Sequence, residues 1–254
     1  MIVKNEYPIL EYSTAYEAVI NPWRMQLKFP RLCLVTFFEE VFDDVVKKYG
    51  GEVLGVYSCE MKDFPVHRIV HKGTELCVVQ AVVASGSIGM MTDWLYGQGV
   101  EVMVCCGGCG VLDEVPAGDV IVPVRALRDE GASYKYLPPA RFIELPSAPV
   151  DAITKVLERF EVPYLKGATW STDGFYRETK EMVAYRRAEG CLVVEMECAT
   201  MAAIAQYRGK LFGQLLYSGD ILVGNEVYDD RDWFNNFSAR EKLFNLALEA
   251  LCLL

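Results

Sequence analysis

The chain predicts a single α/β domain with helices packed on both faces of a sheet. Three observations carry this. Apolar strand-like runs alternate with segments of helical spacing along the 254 residues. No Gly/Ser linker, charge run, internal repeat or low-complexity segment interrupts the alternation, and such alternation builds helical layers around a sheet. The third observation is local. Leu192-Val193-Val194-Glu195-Met196-Glu197-Cys198-Ala199 runs from an apolar strand into two carboxylates, then at once into the small-residue helical run Thr200-Met201-Ala202-Ala203-Ile204-Ala205. Burying an unpaired carboxylate costs several kcal/mol, so a Glu in these surroundings takes a partner or a ligand. The strand-to-helix junctions at one edge of an α/β sheet are where ligand groups collect.

In chain order, Arg31 to Phe38 reads as a buried strand. Val41 to Tyr49 has helical spacing and stops at Gly50-Gly51, a C-cap signal. Short strands are expected over 52–58, 66–71 and 76–83, then a helix from Met90 to Tyr96. Val100 to Cys106 is a strand opening into a Gly107-Gly108-Cys109-Gly110 turn, and Asp119 to Pro123 is another strand. A polar, Pro-rich loop is expected from Arg128 to Pro146, and Ser147 caps a helix running to Phe160. Gly167 to Trp170 leads into a loop at 171–178, and Thr179 to Glu189 is helical, closing at Gly190. The Glu-Met-Glu strand and its helix follow, ending at Gly209. Leu211 to Tyr217 is the last strand, leading to Ser218-Gly219-Asp220. The final helix opens with a capping box, Ser238-Ala239-Arg240-Glu241, and is apolar at Leu243, Phe244, Leu246, Ala247, Ala250 and Leu251.

Composition excludes some functions. A net charge of -10 argues against nucleic acid as partner, because a phosphate backbone requires a basic face. No apolar run approaches the roughly 18 residues of a membrane span. Met1-Ile2-Val3-Lys4-Asn5-Glu6 lacks a basic start followed by an apolar core, so it does not read as a signal peptide. Nine cysteines, several in apolar runs, suit buried thiols in a reducing cytoplasm. A hydrophobic content of 52% supports a substantial core.

Several short segments carry the chemistry. The Glu195-Met196-Glu197 triplet resembles the ribose-binding signature of the nucleoside phosphorylases and their nucleosidase relatives. The run Arg128-Asp129-Glu130-Gly131-Ala132-Ser133 resembles a turn that reads Arg-Asp-Glu-Gly-Thr-Ser in uridine phosphorylases, and Ser171-Thr172-Asp173-Gly174-Phe175-Tyr176 is similar to their Ser-Ser-Asp-x-Phe-Tyr loop. Gly107-Gly108-Cys109-Gly110-Val111-Leu112 resembles the family's Gly-Thr-x-Gly-x-Leu turn, and Ser218-Gly219-Asp220 the Val-Ser-Asp turn of purine phosphorylases and nucleosidases. The pieces occur in family order, from about residue 100 to 220.

The resemblance implies a three-layer α/β/α sandwich around a mixed, partly closed sheet, spanning residues 1–254 as one domain. It implies an enzyme cleaving the N-glycosidic bond of a ribonucleoside, uridine or a purine nucleoside, with inorganic phosphate as co-substrate and no other cofactor or metal. The products are free base and ribose 1-phosphate, as in nucleoside salvage. Homodimers, often assembled into hexamers, go with the family. Carried over residue by residue, Glu197 holds the ribose and stabilises developing positive charge, Glu195 assists, and Met196 packs on the sugar. Phe175 stacks on the base, with Thr172 and Arg177 beside it, and Asp220 protonates the leaving base. Gly107, Gly108 and Arg128 are assigned to the phosphate side.

The residues alone fit this chemistry. Glycosidic cleavage passes through a cation-like sugar that a carboxylate stabilises, and an acid at a strand end eases departure of the base. Plainer readings stand beside it: an interior ion pair for Glu195 or Glu197, a core Phe175, a turn Asp220, and an ion-pair network shaping the Arg128-Asp129-Glu130 loop.

The chain departs from the family at the phosphate site. Of the family's N-terminal Gly-Asp-Pro-x-Arg turn, only Pro22 and Arg24 match in Asn21-Pro22-Trp23-Arg24. The family Arg ahead of the central turn is Cys105 here, and the turn's Thr is Gly108. A second Gly-rich turn aligns either with Val82-Val83-Ala84 or with Gly86-Ser87-Ile88-Gly89. Arg24, Arg128 or Arg177 could replace the lost cation, or water could be the nucleophile. A phosphate-independent nucleosidase and a non-catalytic nucleoside-binding protein are the alternatives. The uridine enzymes' Gln and Arg after the stacking Phe align with Thr179 and Glu181, which favours the purine side.

Rival constellations are few. Cys106-Gly107-Gly108-Cys109 has no second pair for zinc, and His67 and His71 lie apart from it on one strand face, as exposed residues. Dinucleotide, P-loop and nucleophile-elbow motifs are absent from the sequence.

Overall fold

The computed structural model describes residues 1–224 and 228–254. A small antiparallel ribbon, β1 (Ile2–Val3) with β2 (Tyr12–Ser13), opens the chain. Strand β3 (Leu32–Thr36) is buried at every position, as its apolar run requires. Helix α1 (Glu39–Tyr49) follows. Glu39 and Glu40 in its first turn and Lys47 and Lys48 in its last complement the helix dipole, and Gly50 closes it at φ 59°. Strands β4 (Glu52–Ser58), β5 (Asp63–His71) and β6 (Thr74–Gln80) form an antiparallel meander. Then come α2 (Ser85–Gly97), β7 (Val102–Val111), β8 (Val120–Asp129) and β9 (Phe142–Glu144). The chain continues through α3 (Ser147–Arg159), β10 (Tyr164–Thr172), α4 (Lys180–Ala188), β11 (Cys191–Glu195), α5 (Cys198–Arg208), β12 (Leu211–Ile221) and α6 (Phe237–Leu251).

The main sheet runs in the order β11-β10-β8-β12-β7-β3-β6-β5-β4, with β9 on β8. It is mixed: β12 is parallel to β7 and antiparallel to β8. It is also partly closed, because β11 turns back to pair antiparallel with β7 through Val193↔Val111 and Val194↔Gly110. Helices α2 and α5 pack against each other, while α3 and α6 pack together on β12, β7 and β3. This is the α/β architecture expected, with helices around a mixed, partly closed sheet.

Several boundaries differ from expectation, each for a tertiary reason. The Gly107–Gly110 segment is not a turn. Strand β7 continues through it to Val111, paired to β12 at Leu216↔Gly107 and Tyr217↔Gly108. Its glycines are packing residues: a Cβ on Gly107 meets the Phe37 ring at 2.9 Å, and one on Gly108 meets the Tyr217 ring at 3.2 Å. Helix α2 begins at Ser85, ahead of Met90, and takes in Gly89, whose missing side chain lets Thr200 of α5 approach. Strand β8 reaches Asp129 because β10 pairs parallel with it as far as Thr172↔Asp129, while β9, inside the expected loop, pairs with Arg125 to Leu127 on its other edge. The last helix is capped by Asn236, which accepts from the Ala239 N–H, so the Ser238 capping box does not form. His67 and His71 are half-buried rather than exposed. His71 shares hydrogen bonds with the Tyr49 hydroxyl at 2.7 Å and Glu249 at 2.9 Å, and His67 contacts the Gly51 carbonyl.

Candidate active site

The ends of β3, β6, β7, β11 and β12 converge on a cavity of about 470 Å³. Five of the residues singled out in the sequence line it together with Gly108: Phe175, Glu195, Met196, Glu197 and Asp220.

The carboxylate pair is built at the β11–α5 junction. Glu195 ends the strand and is buried. It accepts from Thr169 Oγ1 at 3.1 Å, Ser171 Oγ at 2.5 Å, and the N–H groups of Glu197 at 2.7 Å and Cys198 at 2.6 Å. These donors answer the demand of a buried anion and tie down the start of α5. Glu197 has fewer partners: Oε1 accepts from the Ala84 N–H at 2.7 Å and Oε2 from its neighbour Met196. Burial pushes both carboxyls up. The donors on Glu195 oppose the rise there, while the charge of Glu195 adds to it at Glu197, which rises to about 8.

Ala84 resolves the choice between the two glycine-turn registers. It precedes α2 at φ 77°, ψ 149°, a conformation that glycine adopts freely and alanine does not. Gly86 and Gly89 lie inside α2, so Val82-Val83-Ala84 forms the junction that faces Glu197.

Phe175 marks another wall. It sits in a 3₁₀ turn, Phe175–Arg177, and is 48% exposed. Glu178, which the sequence reading missed, lines the cavity beside it. Burial raises the Glu178 carboxyl to about 7, and the charge of Asp220 adds to the rise. Asp220, at the end of β12, is also raised by burial, and the Tyr228 hydroxyl donates to its Oδ2 at 2.9 Å. Arg231 pins the strand end by donating to the carbonyls of Gly219 and Val115.

The remaining wall carries Phe37 and Phe38 after β3, Gln80 at the end of β6, Gln214 on β12, and Arg240 on α6. Arg240 is the one basic side chain lining the cavity among the described residues. It is buried and already bound, to Glu40 at 2.8 and 2.9 Å and to the Phe234 carbonyl at 2.6 Å. Gln214 is 1% exposed, and neither amide atom has a hydrogen-bond partner among the described residues. No local sequence signal pointed to Gln80, Gln214 or Arg240, which come from distant segments. Glu178 had one, its place three residues after Phe175.

The other candidates are not brought to the cavity lining. Arg128 is buried in its own loop, donating to Ser133 Oγ and the Pro138 and Leu137 carbonyls, with its guanidinium over the Tyr134 ring. The expected Arg128-Asp129-Glu130 ion network does not form either. Asp129 pairs with Arg186, and Glu130 accepts from Ala132 N, Ser133 N and Thr200 Oγ1. Thr172 is buried, its hydroxyl accepting from Gly174 N. Arg177 is exposed outside the lining, Gly107 is packed under Phe37, and Arg24 is exposed in the Pro22–Met25 turn. In the C-x-x-C, Cys106 Sγ contacts Thr36 Oγ1 and Cys109 Sγ the Tyr217 carbonyl, and burial pushes the Cys106 thiol to about 12. A thiol so raised is a poor nucleophile or ligand.

Residues 31–251 match the sequence pattern of the phosphorylase superfamily. The chain belongs to that family. A guanosine phosphorylase of Halorubrum lacusprofundi is 29% identical over 177 residues, covering 67% of this chain and 72% of that protein. Among solved structures, the uridine phosphorylase of Vibrio fischeri superposes with a TM-score of 0.75 at 23% identity, covering 92% of this chain and 95% of that one. An AMP nucleosidase from Bacteroides thetaiotaomicron gives 0.70 at 23% identity, covering 88% and 87%. These two likenesses concern the fold. In this chain the β11–α5 junction supplies the Glu-Met-Glu side of the cavity, and the end of β12 supplies Asp220.

Proposed function

We propose that this protein cleaves the N-glycosidic bond of a ribonucleoside, a purine nucleoside in preference to uridine, with phosphate as the acceptor. The observation that carries the reading is the meeting of Glu197, Asp220 and a half-exposed Phe175 in one cavity. Glu197 accepts hydrogen bonds from the ribose hydroxyls, with Met196 against the sugar and Glu195 fixing the junction. Phe175 stacks on the base. As the C1′–N bond lengthens, the carboxylates stabilise the sugar's positive charge and Asp220 delivers a proton to the base. A phosphate oxygen closes the new bond to C1′, giving ribose 1-phosphate. The first named relative is a guanosine phosphorylase, which supports both the acceptor and the purine base. Gly108 lies on the acceptor side, and a neutral lining there leaves phosphate to backbone amides and dipoles.

A second reading has its own observation. The one basic side chain at the cavity is neutralised by Glu40, whereas Glu178, Glu195, Glu197 and Asp220 all line it. Such a lining disfavours an anion, and water then replaces phosphate, releasing free ribose. Nine free thiols, most of them buried, support a reducing cytoplasm. A homodimer or hexamer engaged in nucleoside salvage completes the proposal.

Product analysis on purine and pyrimidine nucleosides, with and without phosphate, tests it. Ribose 1-phosphate formed only with phosphate is the expected result, and free ribose without phosphate selects the second reading. Calorimetric binding with no product at all indicates a nucleoside-binding protein. Undiminished turnover in Glu197→Ala overturns every catalytic reading.

A further inference from the structure

Gln214 is a buried amide that its surroundings leave unused. It stands on β12 and lines the cavity at 1% exposure, and neither Oε1 nor Nε2 has a hydrogen-bond partner among the described residues. Burying an amide with both ends idle works against folding, so a native protein that keeps one has a use for it. Neighbouring polar groups are engaged. Arg240 is held by Glu40 and the Phe234 carbonyl, Gln80 Oε1 accepts from Lys62 Nζ at 2.8 Å, and the Tyr217 hydroxyl donates to the Trp233 carbonyl. Strand register sets where the amide stands. Gln214 pairs with Cys105, and Tyr217 with Gly108, on the parallel strand β7. Paired residues share a face of the sheet. Cys105 looks toward the carboxylate junction: burial raises its thiol, and the charges of Cys106, Glu197 and Glu195 add to the rise. Gln214 therefore lies on that same face, deeper along the ladder than Gly108, with Asp220 further out at the end of β12.

Resting on the reading that the protein cleaves nucleosides with phosphate, we propose that Gln214 holds the acceptor, its amide edge pairing reciprocally with one protonated and one unprotonated oxygen of hydrogenphosphate. Nε2–H donates to a P–O⁻ oxygen, and Oε1 accepts from the P–OH. An amide offers one donor and one acceptor side by side, which matches that edge. A guanidinium has no acceptor to offer, and an ionised carboxylate has no donor. The amide also answers the charge problem of the site. Four carboxylates line the cavity, and the one basic side chain there among the described residues is neutralised by Glu40. Gln214 takes hold of the acceptor without adding a buried charge.

Two oxygens of the dianion remain outside this pair, and one of them attacks. The C1′–N bond breaks and its electron pair stays with the base, which takes the Asp220 proton. A lone pair of the phosphate oxygen forms the C1′–O bond. The ribose 1-phosphate keeps its P–OH, so no proton has to leave the acceptor side. The pairing also selects among oxyanions. Arsenate carries a proton at neutral pH as phosphate does. Sulfate carries none, so it has nothing to donate to Oε1. A site built on cations makes no such distinction, because it reads charge alone.

The test is steady-state kinetics of the whole protein, with inorganic phosphate varied against a nucleoside and sulfate added as competitor. The wild type is expected to use arsenate in place of phosphate and to bind sulfate at least 100-fold more weakly than phosphate. Gln214→Leu is expected to raise KM for phosphate at least tenfold and to leave KM for the nucleoside within twofold. Gln214→Met, closer in length, repeats the measurement if the leucine variant does not fold. Equal losses toward nucleoside and phosphate mark a packing role and overturn the proposal, as does an unchanged KM for phosphate or sulfate competing on a par with it. Free ribose formed at one rate with and without phosphate also overturns it, while leaving the cleavage of nucleosides intact. Where no nucleoside is cleaved, calorimetry with phosphate and sulfate decides. Phosphate bound in preference to sulfate, and at least tenfold more weakly by Gln214→Leu, upholds Gln214; no binding of phosphate, or equal binding of both anions, overturns it.

Discussion

Removing the Glu195 carboxylate tests whether the site is held by its own ligand-side chemistry or by the start of α5. In Glu195→Ala, the N–H groups of Glu197 and Cys198 and the hydroxyls of Thr169 and Ser171 lose their acceptor. A buried donor left without a partner costs ~1–3 kcal/mol, so the two backbone groups alone reach ~2–6 kcal/mol. Ser171 keeps a bond from the Ala199 N–H, which lessens its share. Relief of the buried charge returns part of the cost, and removing one partner of a buried ionic arrangement typically leaves ~3–5 kcal/mol. The expected loss is therefore about 3 kcal/mol, or roughly 6–12 °C in Tm for a chain of this size. Glu195→Gln keeps one acceptor oxygen and costs about 1–2 kcal/mol. Urea denaturation followed by tryptophan fluorescence suits the measurement, because Trp170 is buried beside Ser171 on β10. A Glu195→Ala variant within about 0.5 kcal/mol of wild type, the range of an ordinary surface change, refutes the reasoning: the donors are then satisfied elsewhere.

Other outcomes follow from single residues. Ala84→Gly relieves a backbone conformation that costs alanine ~1–3 kcal/mol, against ~0.4–1 kcal/mol of added chain entropy; calorimetric melting is expected to show a gain of about 1 kcal/mol, and a clear loss contradicts the strain. Gln214→Leu replaces an amide with no partner among the described residues and is expected to raise stability by ~1 kcal/mol in the same assay, a drop instead revealing a hidden partner. The carboxyl of Glu197 rises from 4.5 to about 8 on folding, so the native state binds the proton more tightly than the unfolded chain. That contribution is full below about pH 4.5 and is lost as pH climbs toward 8. The stability of Glu197→Gln relative to wild type therefore grows between about pH 5 and pH 8 in denaturation curves, and parallel pH dependences sink the assignment.

The parts legible in the sequence were those encoded by neighbours along the chain. The run of apolar residues into Glu195-Met196-Glu197 specifies a strand, a polar end and a helix within a dozen positions, and the structure builds these elements there. Phe175 and Asp220 were legible for the same reason, each at the end of a strand or in the turn behind it. Their roles remain what the proposed experiments must establish. The phosphate side was read less well. Arg128 has the residue type for an anion site, but its guanidinium is consumed by carbonyls of its own loop. Nothing in the local pattern reveals that, since the Leu137 and Pro138 carbonyls reach the guanidinium only once the chain after Ser133 has turned back on itself.

By itself, then, the sequence determined the alternation of strands and helices and the identity of the carboxylate junction, because hydrophobic period and turn chemistry act over a few residues. The tertiary structure alone decided how β11 closes on β7, that Gly107–Gly110 continues a strand, and that Phe37, Gln80, Gln214 and Arg240 line one cavity with no free cation among the described residues. Those outcomes depend on strand order and register across the sheet, where residues far apart in the chain meet only after the core has packed.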